Sequence, residues 1–490
     1  MKYERCETDV QLCCLLVAIR YRKKYLWKGI GVVMRMLLIF VVCGGMGCDI
    51  FDDVMEDIVA QQSQEESSVL QGEKGDLSSD KDVAEVMNDG NKNIAKEPDP
   101  KVLKSTKNIP KLSSIRQPLD IRKVPKPLIL RPEHEATRVF LKQFLQSQLT
   151  NADEPWKLAH AILALGRDAV LNDGSEPIKG IFKAHAHWKK VGDVDVVYFD
   201  KFADGKSKKN PVEPHHDLLL KVITELNVIA NMEVIVDGIP ITLGDYYNMR
   251  LYSNYLNPKN NQSSYASTNE LAWSLQGMST WAPEKLKWIA LEQYSMDMDE
   301  MTRFAAIVLQ KESEEILSAM KSGASFQKNG KGIFQYTCGG SHLLQAVVHA
   351  YGMGFGDDDV KKILMVQNEL LYYRFVQELK IYDQLMKQNS DYKQILLLQR
   401  LKFIGHFLES VSKMIVLADE HPRPEHLEII KGAADQLVLT VEALRRDGLF
   451  LHIEKLRHQN HQQHLDLIGD ASHALYGLEL ISGNRTIYMQ

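Results

Sequence analysis

From Ser341 to the C-terminus, apolar residues return every three or four positions with almost no pause. That spacing is the 3.6-residue period of a helix. It predicts helices over about 341–352, 357–388, 391–420, 424–447 and 449–480. Pro424 opens one of them and Gly448 closes it, the usual division of labour between these residues at helix ends. Only a few residues separate one run from the next, so successive helices turn back and pack as antiparallel hairpins. A chain with so many consecutive helices is confined to helix-on-helix architecture.

The same period begins at Pro132. Residues 135–150 and 154–171 read as helices, the second with Asp153 as N-cap and Pro155 in its first turn. Further helices are expected over 242–253, 270–280, 283–292 and 297–323. The stretch 181–245 is the least helical. Within it Val194–Phe199 has strand character, and 234–236 and 239–243 flank Asp237-Gly238, a hairpin turn signal. The expected fold class is mainly α, built of antiparallel helix hairpins, with a minor β-hairpin insertion near 194–243.

Charge and cysteine placement narrow the setting. The net charge is −5 over 490 residues, which argues against a nucleic-acid surface. Five of the six cysteines, at 6, 13, 14, 43 and 48, precede the helical body, which holds only Cys338. The body therefore has no internal disulfide and must stand on its core.

The first 48 residues have the layout of an export signal. An apolar run from Val10 to Ile19 is too short to span a bilayer. A basic cluster, Arg20 to Lys28, follows. A second apolar run from Met36 ends in Gly45-Met46-Gly47-Cys48, with Arg35 before it and Asp49, Asp52 and Asp53 after it. Positive flank, apolar stretch, small residues and polar chain is the order of a secretory signal. The segment at 45–48 resembles the lipobox of bacterial lipoproteins, departing from it in having Gly45 where Leu is commonest. The resemblance implies lipid on Cys48 and a body on the periplasmic or extracellular side of a bacterial envelope. An uncleaved membrane helix is the alternative. Met34 is a candidate start, which would shorten a leader otherwise spanning 1–47. Asp49 matches an inner-membrane retention signal of enteric bacteria. Residues 48–131 are polar, with few aromatics, and read as a linker, with a coil reach of about 50 Å. The body is then 132–490.

Four helical segments share a shape: His160-Ala-Ile-Leu-Ala-Leu-Gly, Trp273-Ser-Leu-Gln-Gly-Met, His342-Leu-Leu-Gln-Ala-Val-Val and His473-Ala-Leu-Tyr-Gly-Leu. Each starts with a ring, and small residues follow. Their spacings of 113, 69 and 131 residues are too unequal for a simple solenoid. They suit a ring of helix hairpins whose inner helices each present one ring to a shared cavity. In that architecture the body resembles the α/α toroid of terpenoid cyclases and protein prenyltransferases, without the cyclases' aspartate-rich motif. Chance likeness among Leu- and Ala-rich helices is the alternative.

The sharpest local feature is Tyr336-Thr-Cys-Gly-Gly-Ser-His342. The Gly-Gly pair precedes a helix that Ser341 would cap, and Cys338 and His342 are four apart. A cysteine at a helix N-terminus becomes a reactive thiolate, and Cys with His is a zinc ligand pair. The toroid resemblance adds an expected third ligand. Asp466, Asp470 and His473 share one helix face, so Asp470 and His473 can complete a site with Cys338 and His342. A buried, unreactive cysteine is the plain alternative. Other histidines stand at 185 and 187, at 215 and 216, and at 458, 461 and 464. Glu270 and Trp273 lie one turn apart and can line a cavity. Gly352-x-Gly354-x-Gly356 follows a helix, not a strand, and so is not a dinucleotide fingerprint.

Two functions follow as expectations. One is a lipid-anchored accessory protein whose helical body binds an envelope protein or small ligand. The other is a cavity enzyme, with zinc as a candidate ion, using Cys338, His342, His473 and His160.

Overall fold

The computed structural model describes residues 107–489, apart from 119, 126, 127, 129, 130, 204–209, 258–261, 268, 327, 329 and 337. The leader, Cys48 and most of the expected linker lie outside the described residues. The protein is mainly helical with small antiparallel strand pairs. Its helices are α1 (Pro132–Ser147), α2 (Pro155–Leu165), α3 (Pro177–His185), α4 (Leu218–Glu225), α5 (Leu243–Ser253), α6 (Leu271–Trp281) and α7 (Met298–Glu312). There follow α8 (Glu314–Ser322), α9 (Ser341–Gly352), α10 (Asp358–Gln388), α11 (Lys393–Leu417), α12 (Pro424–Arg446), α13 (Ile453–Gln459) and α14 (His461–Ile481).

Local chemistry sets many of these boundaries. Proline occupies the first turn of α1, α2, α3 and α12, where its missing N–H costs nothing. Asp297 and Asp357 cap α7 and α10 by accepting backbone N–H bonds, and Thr242 with Asp245 forms a capping box on α5.

The helices alternate between two layers. Helix α2 packs on α4, α4 on α6, α6 on α9, α9 on α11, α11 on α14, and α14 returns to α2. These six close a ring. Burial separates them from the rest. Every residue of α6 is buried, as is every residue of α14 from His464 to Ile481, the mark of helices enclosed on all sides. The outer helices α1, α3, α7, α10 and α12 bury one face each, while α5 is covered along most of its length. The closest approach in the ring is α11 against α14. A Cβ on Gly405 would stand 2.7 Å from the backbone nitrogen of Ala474, and one on Gly477 2.8 Å from the Gly405 oxygen. Only glycine permits that contact.

Strands fill the connections. β2 (Ala186–Val191) pairs with β3 (Val194–Phe199), β4 (Glu233–Val236) with β5 (Ile239–Thr242), β6 (Leu256–Asn257) with β7 (Gln262–Ser263), and β8 (Lys287–Ile289) with β9 (Ser295–Asp297). Asp237 and Gly238 both take positive φ at the β4–β5 turn, as a two-residue hairpin requires. A seam joins β1 (Asp120–Arg122), which precedes α1, to β10 (Ile487–Met489), which follows α14. None of the described helices is long and apolar enough to cross a membrane.

Several boundaries differ from the sequence expectation, each for a local reason. Residues 283–292 form no α-helix, because Lys285 and Glu292 take positive φ and the chain enters β8. The run 297–323 breaks at Ser313, and 449–480 breaks at Asn460, whose side chain caps α14. The run 154–171 stops at Leu165, where Gly166 has φ +108°. Helices α3 and α4 lie in the stretch expected to be least helical; eight or nine residues are too few to display a period. Residues from Lys107 belong to the body rather than to a linker: Val124 is buried, and Leu112 and Ser113 bond the Asn248 side chain.

Candidate metal centre

Each inner helix, or the segment entering it, turns one ring toward the axis. They are His160 on α2, His215 just before α4, Trp273 on α6, His342 on α9, His406 on α11 and His473 on α14. The rings touch in sequence. Centroids are 5.5 Å apart for His160 and His473, 3.9 Å for His473 and His406, and 4.7 Å for His406 and His342. His342 and Trp273 are 4.7 Å apart, and Trp273 stacks on His215 at 4.1 Å. Since His215, Trp273 and His342 all stand at the N-terminal ends of α4, α6 and α9, these helices run parallel and their N-terminal ends mark one end of the ring, its mouth.

Within this circle His342, His406 and His473 form a tighter group. Each offers one ring nitrogen, and the three donor atoms lie within 4.8 Å of one another. Zinc takes histidine nitrogens at about 2.0–2.1 Å, so small ring rotations close the set onto one ion. Glu409, one turn beyond His406, supports the group from behind. Its Oε2 is 3.2 Å from Nδ1 of His473 and 3.6 Å from Nδ1 of His406. A carboxylate at that position keeps the proton on His473 Nδ1 and leaves Nε2 as a donor atom, the arrangement that orients metal-binding histidines. His342 Nδ1 is buried without a hydrogen-bond partner. A buried nitrogen left bare is costly, and an ion would satisfy it.

The electrostatics fit a cation. Burial lowers the pKa of His406 to about 3 and of His473 to about 4, and holds His342 well below its ordinary value. All three rings are therefore neutral and able to bind metal at neutral pH. Burial alone would raise the Glu409 carboxyl, but Lys413 and the two histidines more than offset it and hold it well below the usual carboxylate range. His406 and His473 are almost wholly enclosed, and His342 lies in the first turn of α9.

A second polar cluster stands beside the mouth. Asp217, with φ +63° and no exposure, takes hydrogen bonds from Arg250, Ser274 and Asn254. His216 Nε2 is 2.6 Å from the Asn254 side-chain oxygen, and its backbone N–H donates to Glu270 at 2.7 Å. Glu270 also lies 3.1 Å from His215 Nδ1. These bonds fix the entry to α4 and hold His215 flat on Trp273.

Of the residues singled out from sequence, the structure brings His160, Trp273, His342 and His473 onto one axis, with Glu270 at its rim. Cys338 and Asp470 are not in the three-histidine group. Helix α9 begins at Ser341, which places Cys338 before its N-terminus, but burial raises the thiol pKa rather than lowering it. Ser341 is not the cap; Gly340 is, and the Ser341 hydroxyl bonds the Cys338 carbonyl. Asp470 faces Lys402 at 3.6 Å. His185 ends α3 and bonds the Ala152 carbonyl, while His187 sits in β2. His461 and His464 stack on each other at the start of α14. Two central residues, His406 and Glu409, escaped the sequence reading. Their signal was present: Gly405-His406-x-x-Glu409-x-x-x-Lys413 sets polar groups on one face of an otherwise apolar helix.

The chain matches no protein-family model, no curated protein and no solved structure. Fold and site therefore define it only as an all-helical ring protein with a candidate three-histidine metal centre.

Proposed function

We propose that the protein is a metal-dependent enzyme, with one divalent ion, zinc by the nature of its donors, held by His342, His406 and His473. The observation that carries this is the convergence of three buried imidazoles from three helices, with Glu409 orienting one of them. Structural zinc sites close their shell with four protein ligands, whereas catalytic sites keep three and leave a position for water or substrate. A three-histidine set belongs to the second kind. An ion so held polarises an oxygen and activates water at neutral pH, so hydrolysis or hydration is the reaction class. Substrate would enter at the N-terminal end of the ring, beside His342 and Glu270.

Elemental analysis of the purified full chain tests this. About one equivalent of zinc is expected, lost in His406→Ala. A chain that carries no metal and takes up none of zinc, cobalt, nickel or manganese on titration would rule the proposal out.

The anchor is a separate proposal, supported by the signal-like order of residues before Cys48. Metabolic labelling with palmitate should mark the native chain and not Cys48→Ser. Labelling that survives this substitution contradicts it. With the anchor in place, the enzyme would work at an envelope membrane.

A further inference from the structure

Beneath the histidines a single carboxylate gathers four of the six inner helices. Glu225, the last residue of α4, is buried. Its Oε1 accepts from Lys413 Nζ of α11 at 2.6 Å and from the Tyr476 hydroxyl of α14 at 3.1 Å. Its Oε2 accepts from Gln276 Nε2 of α6 at 2.8 Å. Lys413 also donates to Glu409 Oε1 at 2.9 Å. The other oxygen of Glu409 meets His473 Nδ1 at 3.2 Å. An unbroken chain of charged contacts therefore runs from Glu225 to a proposed metal ligand.

We infer that Glu225 is a positioning residue for the metal centre: through Lys413 and Glu409 it sets the affinity for the ion. The inference rests on the three-histidine reading. Lys413 divides its charge between two carboxylates. When Glu225 takes its share, Glu409 retains more negative character for His473, and His473 is the stronger ligand. When Glu225 is neutral, Lys413 turns wholly to Glu409 and weakens that support. The same chain binds α4, which supplies no ligand, into the centre. Ion affinity and closure of the ring are thus linked through one side chain.

The two directions separate this role from a merely structural one. Zinc affinity is measured on the full chain by competition with a chromophoric chelator. Glu225→Gln should weaken it about ten-fold, in line with changes behind metal ligands. Lys413→Met, which leaves Glu409 and Glu225 negative beside the ion, should tighten it. Should Glu225→Gln fail to fold, Tyr476→Phe removes a competing donor from the oxygen that holds Lys413 and should shift affinity the other way, tightening it. A Glu225→Gln chain with lower thermal stability but wild-type affinity would overturn the inference and leave the metal centre standing. Lys413→Met and Glu225→Gln weakening zinc alike would also overturn it. A wild-type chain that binds no zinc would instead sink the metal-centre reading itself.

Discussion

Glu409 Oε2 lies 3.2 Å from Nδ1 of His473, on a different helix of the ring. The contact fixes which nitrogen of His473 is free, and so which atom can meet a metal. Glu409→Gln keeps the shape and removes the charge. It should cost about 10- to 100-fold in zinc affinity, read by chelator competition. Unchanged affinity would mean that His473 needs no such support.

Gly405 is the residue next to His406, and its Cα faces the backbone of α14. Gly405→Ala must push α11 from α14 or bend one of them. Overpacking of this kind costs about 1–3 kcal/mol. Because His406 and His473 lie on either side of the contact, the variant should also lose metal. Denaturant unfolding and metal content measure the two effects. A variant with full metal and full stability would show that the helices have room to part.

Cys338 is half-buried, and desolvation raises its thiol pKa. An aromatic disulfide reagent should label the folded chain slowly and the denatured chain fast, at one thiol, once the leader cysteines are removed or acylated. Cys338→Ser should keep its zinc. Rapid labelling of the native thiol, or metal loss in the serine variant, would return Cys338 to the site.

Burial lowers the pKa of His160, His349 and His406 to about 3 and of His473 to about 4. In the unfolded chain these rings titrate near 6.5. As pH falls from about 6.5 toward 4, the unfolded chain takes up protons that the folded one refuses, so stability falls with pH across that window. Above it the rings are neutral in both states and contribute no slope. Each histidine costs about 1.4 kcal/mol per pH unit in the window. Melting temperatures of the metal-free chain should be level above pH 7 and drop steeply toward pH 5. A melting temperature unchanged at pH 5 would show that the rings protonate in the folded state.

Asp217 pairs with Arg250, and both side chains are buried. Asp217→Ala leaves that guanidinium buried and alone, at a cost of about 3–5 kcal/mol. It also frees the entry to α4 and with it His215. Urea unfolding should show the loss. A change below about 1 kcal/mol would mean that Glu213 or solvent takes over the charge.

The long helices were legible because their period persists for many turns, as in α10 and α12. Short ones were not: α3 and α4 have too few residues for a stripe to appear. At the site, His160, Trp273, His342 and His473 shared a visible pattern, a ring followed by small residues. His406 did not, since a phenylalanine follows it and its small neighbour, Gly405, precedes it. The pairing of Cys338 with His342 failed for a different reason. Sequence spacing gives a shared helical face only inside a helix, and α9 begins after the cysteine.

The ring of inner helices has a consequence in time. A ring cannot close on part of itself. Helix α2 emerges long before α14, the last of the described helices, yet α14 is one of its two ring neighbours. Until then α2 stands with an uncovered apolar flank. His473 arrives on that same helix, so the candidate metal centre cannot be assembled before α14 has been made. Closure joins residues more than 300 positions apart, and contacts so distant slow folding. Truncation near the C-terminus would therefore leave an open arc of helices, exposed to aggregation, rather than a smaller working protein.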